Sequence, residues 1–140
     1  MKKSWPWEEL LSDIDRQVIE QAGYGKSRGL GKRPAFLLID AQYNYFGDDK
    51  DILDQLKGWP SGAGRSAWQT MGGIERLLAA FHSKGLPVIY TRQVQDKMIL
   101  DGFALKAAGR DKRQYLEGAR GTEIVDELKP RDSDFVINKT

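Results

Sequence analysis

The sequence predicts an α/β fold built on a parallel sheet, and three apolar runs carry that prediction. Ala35-Phe36-Leu37-Leu38-Ile39-Asp40, behind Pro34, is a short run of bulky aliphatics of the kind that forms a strand buried on both faces. Leu86-Pro87-Val88-Ile89-Tyr90-Thr91 closes on Arg92, and Phe135-Val136-Ile137-Asn138 closes on Lys139. A helical pattern separates the first two runs, so they form a βαβ unit with parallel strands and a right-handed crossover.

The remaining elements follow from local signals. Residues 4 to 22 read as a helix: Ser4 caps it, Pro6 fits its first turn, and Glu8 and Glu9 suit its positive end. Trp7, Leu10, Leu11, Ile14 and Val18 give that helix one apolar stripe. Gly23 to Lys32 contains Gly23, Gly25, Gly29 and Gly31. A phosphate-binding glycine loop follows a strand and opens a helix, whereas this run precedes a strand, so it reads as a lead-in loop.

Residues 41 to 65 read as a long irregular segment, the kind of loop that often serves as a lid or binding loop. Its cluster Asp48-Asp49-Lys50-Asp51 lacks the calcium-loop pattern and reads as a solvated face. Ser66 caps a helix running to about Lys84, with Ala67, Met71, Ile74, Leu77, Leu78 and Phe81 inward and Gly85 at its end. The single histidine, His82, falls in its last turn, where a surface or capping role fits the helix dipole better than catalysis. Residues 96 to 120 read as an inserted loop with one or two helical turns, from the amphipathic pieces Met98 to Ala108 and Lys112 to Ala119. Thr122 caps a short helix through Leu128, burying Ile124, Val125 and Leu128, and Asp132-Ser133-Asp134 makes a turn before the last strand.

A chain of 140 residues is long enough for one domain with a real core. Its 22 basic and 20 acidic side chains nearly balance, without the basic stripe of a nucleic-acid binder. No apolar stretch approaches the about 20 residues that span a bilayer. Glu8, Glu9 and Asp13 interrupt any signal-peptide core, so a cytoplasmic location is expected and a membrane partner is not. There is no cysteine, which excludes disulfides and a thiol nucleophile within these residues. With one histidine, a transition-metal site is not expected either, and no cofactor is called for.

The three strands end on Asp40, Arg92 and Lys139, and a parallel sheet gathers such ends along one edge, where α/β proteins bind ligands. A carboxylate at the end of a buried strand is costly unless it is paired or used, which makes Asp40 the leading candidate. An aspartate and a lysine within reach keep one another charged, and such a pair either moves protons for a reaction or simply closes the sheet edge as an ion pair. Arg92 offers a forked donor for a substrate carboxylate or carbonyl, or pairs with a loop acid such as Asp48 or Asp96.

Three blocks carry a family resemblance. Arg33 through Gln42 resembles the opening strand of the isochorismatase-like cysteine hydrolases. Ile74 through Arg92 is similar to their first crossover helix and second strand, and Asp134 through Lys139 to the strand bearing their catalytic lysine. The glycine-containing lead-in behind an N-terminal helix is most similar to the N-carbamoylsarcosine amidohydrolase branch. The resemblance implies a Rossmann-like three-layer α/β/α fold with a parallel sheet, of which this chain supplies about the first three strands. Residues 1–32 would then be an N-terminal helix and lead-in, and 33–140 the N-terminal part of the hydrolase domain.

The resemblance further implies a catalytic set of aspartate, lysine and cysteine. Asp40 would be the base that takes the thiol proton and passes it to the leaving group. Lys139 would hold Asp40 charged, and Tyr45 would line the pocket. The thiolate would attack an amide or ureido carbonyl, giving a thioester that water hydrolyses. Relatives act on nicotinamide, carbamoyl amines, maleamate, biuret and isochorismate, and the lead-in favours a linear carbamoyl or amide compound. A homo-oligomer is expected.

The family's cysteine lies one helix and strand beyond the lysine, and no residue here replaces it. Ser61, Ser66 and Ser133 lie at turn or cap positions. The expectation is therefore an N-terminal part, inactive alone, whose cysteine lies on a second chain or a missing segment. The alternatives are a non-catalytic subunit, with Trp5, Trp7 and Trp59 serving an interface, or a small-ligand binder of the same fold.

Overall fold

The computed structural model describes residues 6–95 and 112–139. The chain forms two compact units, residues 1–32 and 33–140.

In the first unit a 3-10 turn, Glu8–Leu10, precedes helix α1, Asp13–Ala22. The helix begins later than its apolar spacing predicts because Ser12, Asp13, Ile14 and Asp15 build a capping box. The Ser12 hydroxyl accepts from the Asp15 amide at 3.2 Å, while the Asp15 carboxylate accepts from the Ser12 amide at 3.0 Å. Gly23, at φ 71°, ends the helix in the left-handed region. Ser4 lies outside the described residues. Four residues of the expected apolar stripe, Trp7, Leu10, Ile14 and Val18, are exposed.

The second unit carries a three-stranded parallel sheet in the order β1-β2-β3, with β1 at Phe36–Ile39, β2 at Val88–Gln93 and β3 at Phe135–Lys139. Leu38 pairs with Tyr90, and Tyr90 with Val136; Gln93 pairs with Lys139. Helix α4, Arg65–Ser83, crosses from β1 to β2 and packs on one face of the sheet. Leu78 is buried, and Ala67, Met71, Ile74 and Phe81 pack against the core cluster that includes Leu38, Val88 and Tyr90. The Phe36 and Phe81 rings stand 5.4 Å apart. Leu77 is exposed, one position off the stripe.

The expectation that β1 is buried on both faces fails. Leu37 and Ile39 point away from α4 and are 49% and 59% exposed, because no described element covers that face. All five residues of β3 are exposed as well.

The segment from 41 to 65 is more ordered than expected. It contains two single-turn helices, α2 at Tyr43–Phe46 and α3 at Ile52–Gln55. Buried Gln55 clamps it, accepting from the Asp48 amide at 2.8 Å and donating to the Gly62 carbonyl at 2.7 Å. Gly47, at φ 69°, is required there, since a side chain would occupy the Gln55 amide. The N-cap of α4 is Gly64, not Ser66, whose hydroxyl donates back to the Ala63 carbonyl.

After β2, Met98 to Ala108 lies outside the described residues. The helix expected from Thr122 to Leu128 is two 3-10 turns, Arg120–Thr122 and Asp126–Leu128, with an extended piece between them. That piece pairs with the segment after β1: the Tyr43 amide donates to Glu123 and the Val125 amide to Ala41. Competition from this pairing explains the broken helix. Ile124, Val125 and Leu128 are buried as expected.

Of the surface or capping role expected for His82, the surface one does not hold. Its imidazole is 10% exposed, and Nε2 lies 2.9 and 3.1 Å from the two oxygens of Asp134, whose side chain is 2% exposed. A nearly buried carboxylate needs a donor, and the last turn of α4 supplies one.

Candidate active site

Asp40 stands at the carboxyl end of β1 with φ 54°, a left-handed conformation that aspartate tolerates better than most residues. Regular alternation would put its side chain on the α4 face beside Leu38. Instead its carboxylate reaches the other face. Oδ1 accepts from the Thr91 hydroxyl at 3.2 Å and Oδ2 from Lys139 Nζ at 2.7 Å. Backbone strain of this kind, of order 1–2 kcal/mol, is characteristic of functional positions.

Lys139 arrives from the far side of the sheet. Two strand spacings, about 10 Å, separate β1 from β3, and the lysine side chain spans them above Thr91. The pair is partly open to solvent, 42% exposed at Lys139 and 20% at Asp40. It therefore joins charge, a fixed donor and access, at the strand ends where α/β sheets bind ligands.

The backbone beyond Asp40 is fixed by Gln42, which is fully buried. Its amide nitrogen donates to the Gln93 and Thr122 carbonyls at 3.1 and 2.8 Å, and its oxygen accepts from the Gln93 amide at 2.7 Å. Gln42 thus ties the turn after β1 to the end of β2 and to residues 120–125. Sequence reasoning missed both Gln42 and Thr91. The alternation of β2 marked Thr91 as sharing a face with Ile89, but only the register shows that this is the face of Lys139.

Tyr45, on α2, is half-buried beside this edge. Its phenol is pushed up to about 12, first by burial, then by neighbouring Tyr115 and by the Asp40 carboxylate. It stays a neutral hydrogen-bonding group across the physiological range. The Tyr115 hydroxyl donates to Ser61 at 2.9 Å.

Arg92 does not join the group. It shares the register face of Tyr90 and Val136, opposite Thr91 and Lys139, and its Nε donates to Asn138 Oδ1 at 2.9 Å. There it lines a cleft of about 480 Å³ with Arg120, Glu123, Ile124 and Val136. Its strand-end position suggested the Asp40 edge, but a strand end presents two faces, and Arg92 takes the other one.

Among the described residues, no group of three or more histidine, aspartate or glutamate side chains is placed to hold a metal ion. Nor is any described helix long and apolar enough to cross a membrane.

Comparison with known proteins connects this geometry to a family. The family model for the isochorismatase domain matches residues 34–140. Similar solved structures include an N-carbamoylsarcosine amidase from Thermoplasma acidophilum, with a TM-score of 0.54 and 25% identity over 76% of this chain and 51% of that one. A cysteine hydrolase from Pseudomonas syringae pv. phaseolicola has a TM-score of 0.62 and 17% identity over 81% of this chain and 52% of its own. An isochorismatase family protein from Desulfovibrio vulgaris has a TM-score of 0.56 and 23% identity over 75% of this chain and 51% of its own. These likenesses establish the Rossmann-type parallel α/β fold, and the chain spans about half the length of each of these structures. A search of curated proteins found no significant match. With the family model covering most of its length, from just before β1 through β3, the chain belongs to the isochorismatase family.

Proposed function

We propose that this chain is the N-terminal part of a cysteine-dependent hydrolase that cleaves the C–N bond of a small carbamoyl or amide compound. The observation that carries this reading is the 2.7 Å contact between Lys139 Nζ and Asp40 Oδ2 at the carboxyl ends of β1 and β3. The likeness to an N-carbamoylsarcosine amidase favours the carbamoyl class of substrate.

In this reading Asp40 takes the proton of a cysteine thiol, and the thiolate attacks the substrate carbonyl. As the C–N bond breaks, Asp40 returns the proton to the departing nitrogen, leaving a thioester that water hydrolyses. Lys139 and the Thr91 hydroxyl fix the position of the carboxylate. Tyr45 lines the pocket as a neutral phenol. The cysteine comes from outside these 140 residues, which contain none.

The absence of cysteine also favours a second reading, a non-catalytic ligand-binding module of the same fold. One experiment separates the two: the intact mass of the natively purified protein, its cysteine content, and release of ammonia from carbamoyl amines. Hydrolysis by material made only of this cysteine-free species overturns the thiol mechanism. In cysteine-containing material, Asp40→Asn is expected to lower turnover by about 10²–10⁴-fold, the usual loss when a positioned acid–base group is removed. Undiminished turnover removes Asp40 from the role of base.

A further inference from the structure

The buried pair His82–Asp134 lies at the opposite end of the sheet from Asp40, yet it bears on the same contact. Asp134 is the residue before β3, and Lys139 is the last residue of that strand. Within these 140 residues all five positions from Phe135 to Lys139 are exposed, so in this chain burial does little to choose among registers for β3 on β2. Register is weakly specified where neither face of a strand is buried, and a slip of one residue moves every side chain to the other face. Such a slip would carry Lys139 away from Asp40 altogether.

What fixes the start of the strand is Asp134. Its carboxylate takes both contacts from His82 Nε2 at 2.9 and 3.1 Å, and Oδ2 also accepts from the Arg131 amide at 2.9 Å. Its own amide donates to the Arg131 carbonyl at 2.9 Å, closing the turn. His82 is in turn held by α4, whose neighbouring Phe81 packs on Phe36 at the start of β1. The last turn of α4 therefore holds the starts of β1 and β3, β1 through a ring contact and β3 through the His82–Asp134 hydrogen bond.

We propose that His82 and Asp134 are positioning residues for Lys139: their contact sets the register of β3 and so delivers the ammonium to Asp40. The consequence for hydrolysis rests on the catalytic reading of Asp40 and Lys139 given above, whereas the geometric statement does not.

The test is a zero-length cross-link in the 140-residue chain. A carbodiimide activates the Asp40 carboxylate, the Lys139 amine attacks it, and an amide forms with net loss of one water. Peptide mapping reads the yield, with the Lys50–Asp48 pair, at 2.9 Å, as an internal reference remote from β3. His82→Asn, too short to reach Asp134, is expected to lower the Asp40–Lys139 link about tenfold, a modest effect for a buried charge that loses its donor. His82→Gln, which keeps a donor at the reach of Nε2, restores it. Asp134→Asn, the milder change, also lowers it. Amide exchange in β1 and β2 reports whether each variant is folded. An undiminished link in either folded His82→Asn or Asp134→Asn overturns the proposal. In the unmodified chain, amide exchange must release β3 together with the turn at 131–134, and independent opening of the two overturns it without any variant. Because the link is read without substrate, its failure is distinguishable from failure of the hydrolase reading.

Discussion

Two acid–base pairs stand at the two ends of β3, and they are built on opposite principles. His82–Asp134 is almost sealed, 10% and 2% exposed, and both carboxylate oxygens are committed. Lys139–Asp40 is open, 42% and 20% exposed, and rests on a strained backbone. A sealed, fully bonded pair serves the fold, because breaking it leaves buried polar groups with no water to turn to. An open pair contributes little to stability and keeps its atoms available to a substrate. The difference predicts opposite sensitivities. Asp134→Ala, which leaves His82 Nε2 and the Arg131 amide without their acceptor, is expected to destabilise the chain by about 2–3 kcal/mol. Lys139→Ala, at a solvent-screened pair, should cost less than about 1 kcal/mol. Urea midpoints of the two variants measure both. Equal losses would erase the distinction.

The two faces of the sheet sharpen the same comparison at a smaller scale. Leu38 is 8% exposed and meets α4, whereas its neighbour Ile39 is 59% exposed. Leu38→Ala should cost about 2–3 kcal/mol, low in the usual range because the other face of β1 is uncovered among the described residues. Ile39→Ala should stay within about 0.5 kcal/mol. If Ile39→Ala proves the costlier of the two in this chain, the uncovered face has been misassigned.

Much of this was legible in the sequence. The three strands, the crossover helix and the inward Ile124, Val125 and Leu128 follow from periodicity, and Asp40 and Lys139 from their places at strand ends. What was not legible depended on partners distant in the chain. The clamp by Gln55 turns an apparently irregular segment into α2 and α3. The pairing of 123–125 with 41–43 breaks a helix that local signals favoured. Arg92 sits at a strand end like the other two candidates, but its face depends on counting through the register. Asp40 reaches Lys139 only because its φ is positive, which no spacing rule announces. His82 fits a helix end equally well exposed or buried, and only the placement of Asp134 decides. The capping box at Ser12 and Asp15, by contrast, was present in the sequence as a spacing signal, and the longer apolar stripe obscured it.

The smallest predicted effect compares two tyrosines, one near each pair. Tyr45 and Tyr90 are both pushed up to about 12, in each case chiefly by burial, with Asp40 adding to the shift at Tyr45 and Asp134 at Tyr90. Tyr90 is 1% exposed, and its buried hydroxyl has no hydrogen-bond partner among the described residues. A buried hydroxyl without a partner carries a desolvation cost, so Tyr90→Phe should leave stability at pH 7 unchanged or raise it by up to about 1 kcal/mol. The pH dependence follows from the same burial. Between an unfolded value near 10 and a folded value near 12, the unfolded chain releases the phenol proton while the folded chain retains it. Stability is therefore full below pH 10 and falls as the pH rises toward 12. Tyr90→Phe removes its share of that fall, so its advantage over the parent chain should widen from pH 7 to pH 11 in urea titrations. A loss of stability at pH 7 would mean that the Tyr90 hydroxyl has a partner after all, and that the sealed end of the sheet is wetter than the bonding of His82 and Asp134 implies.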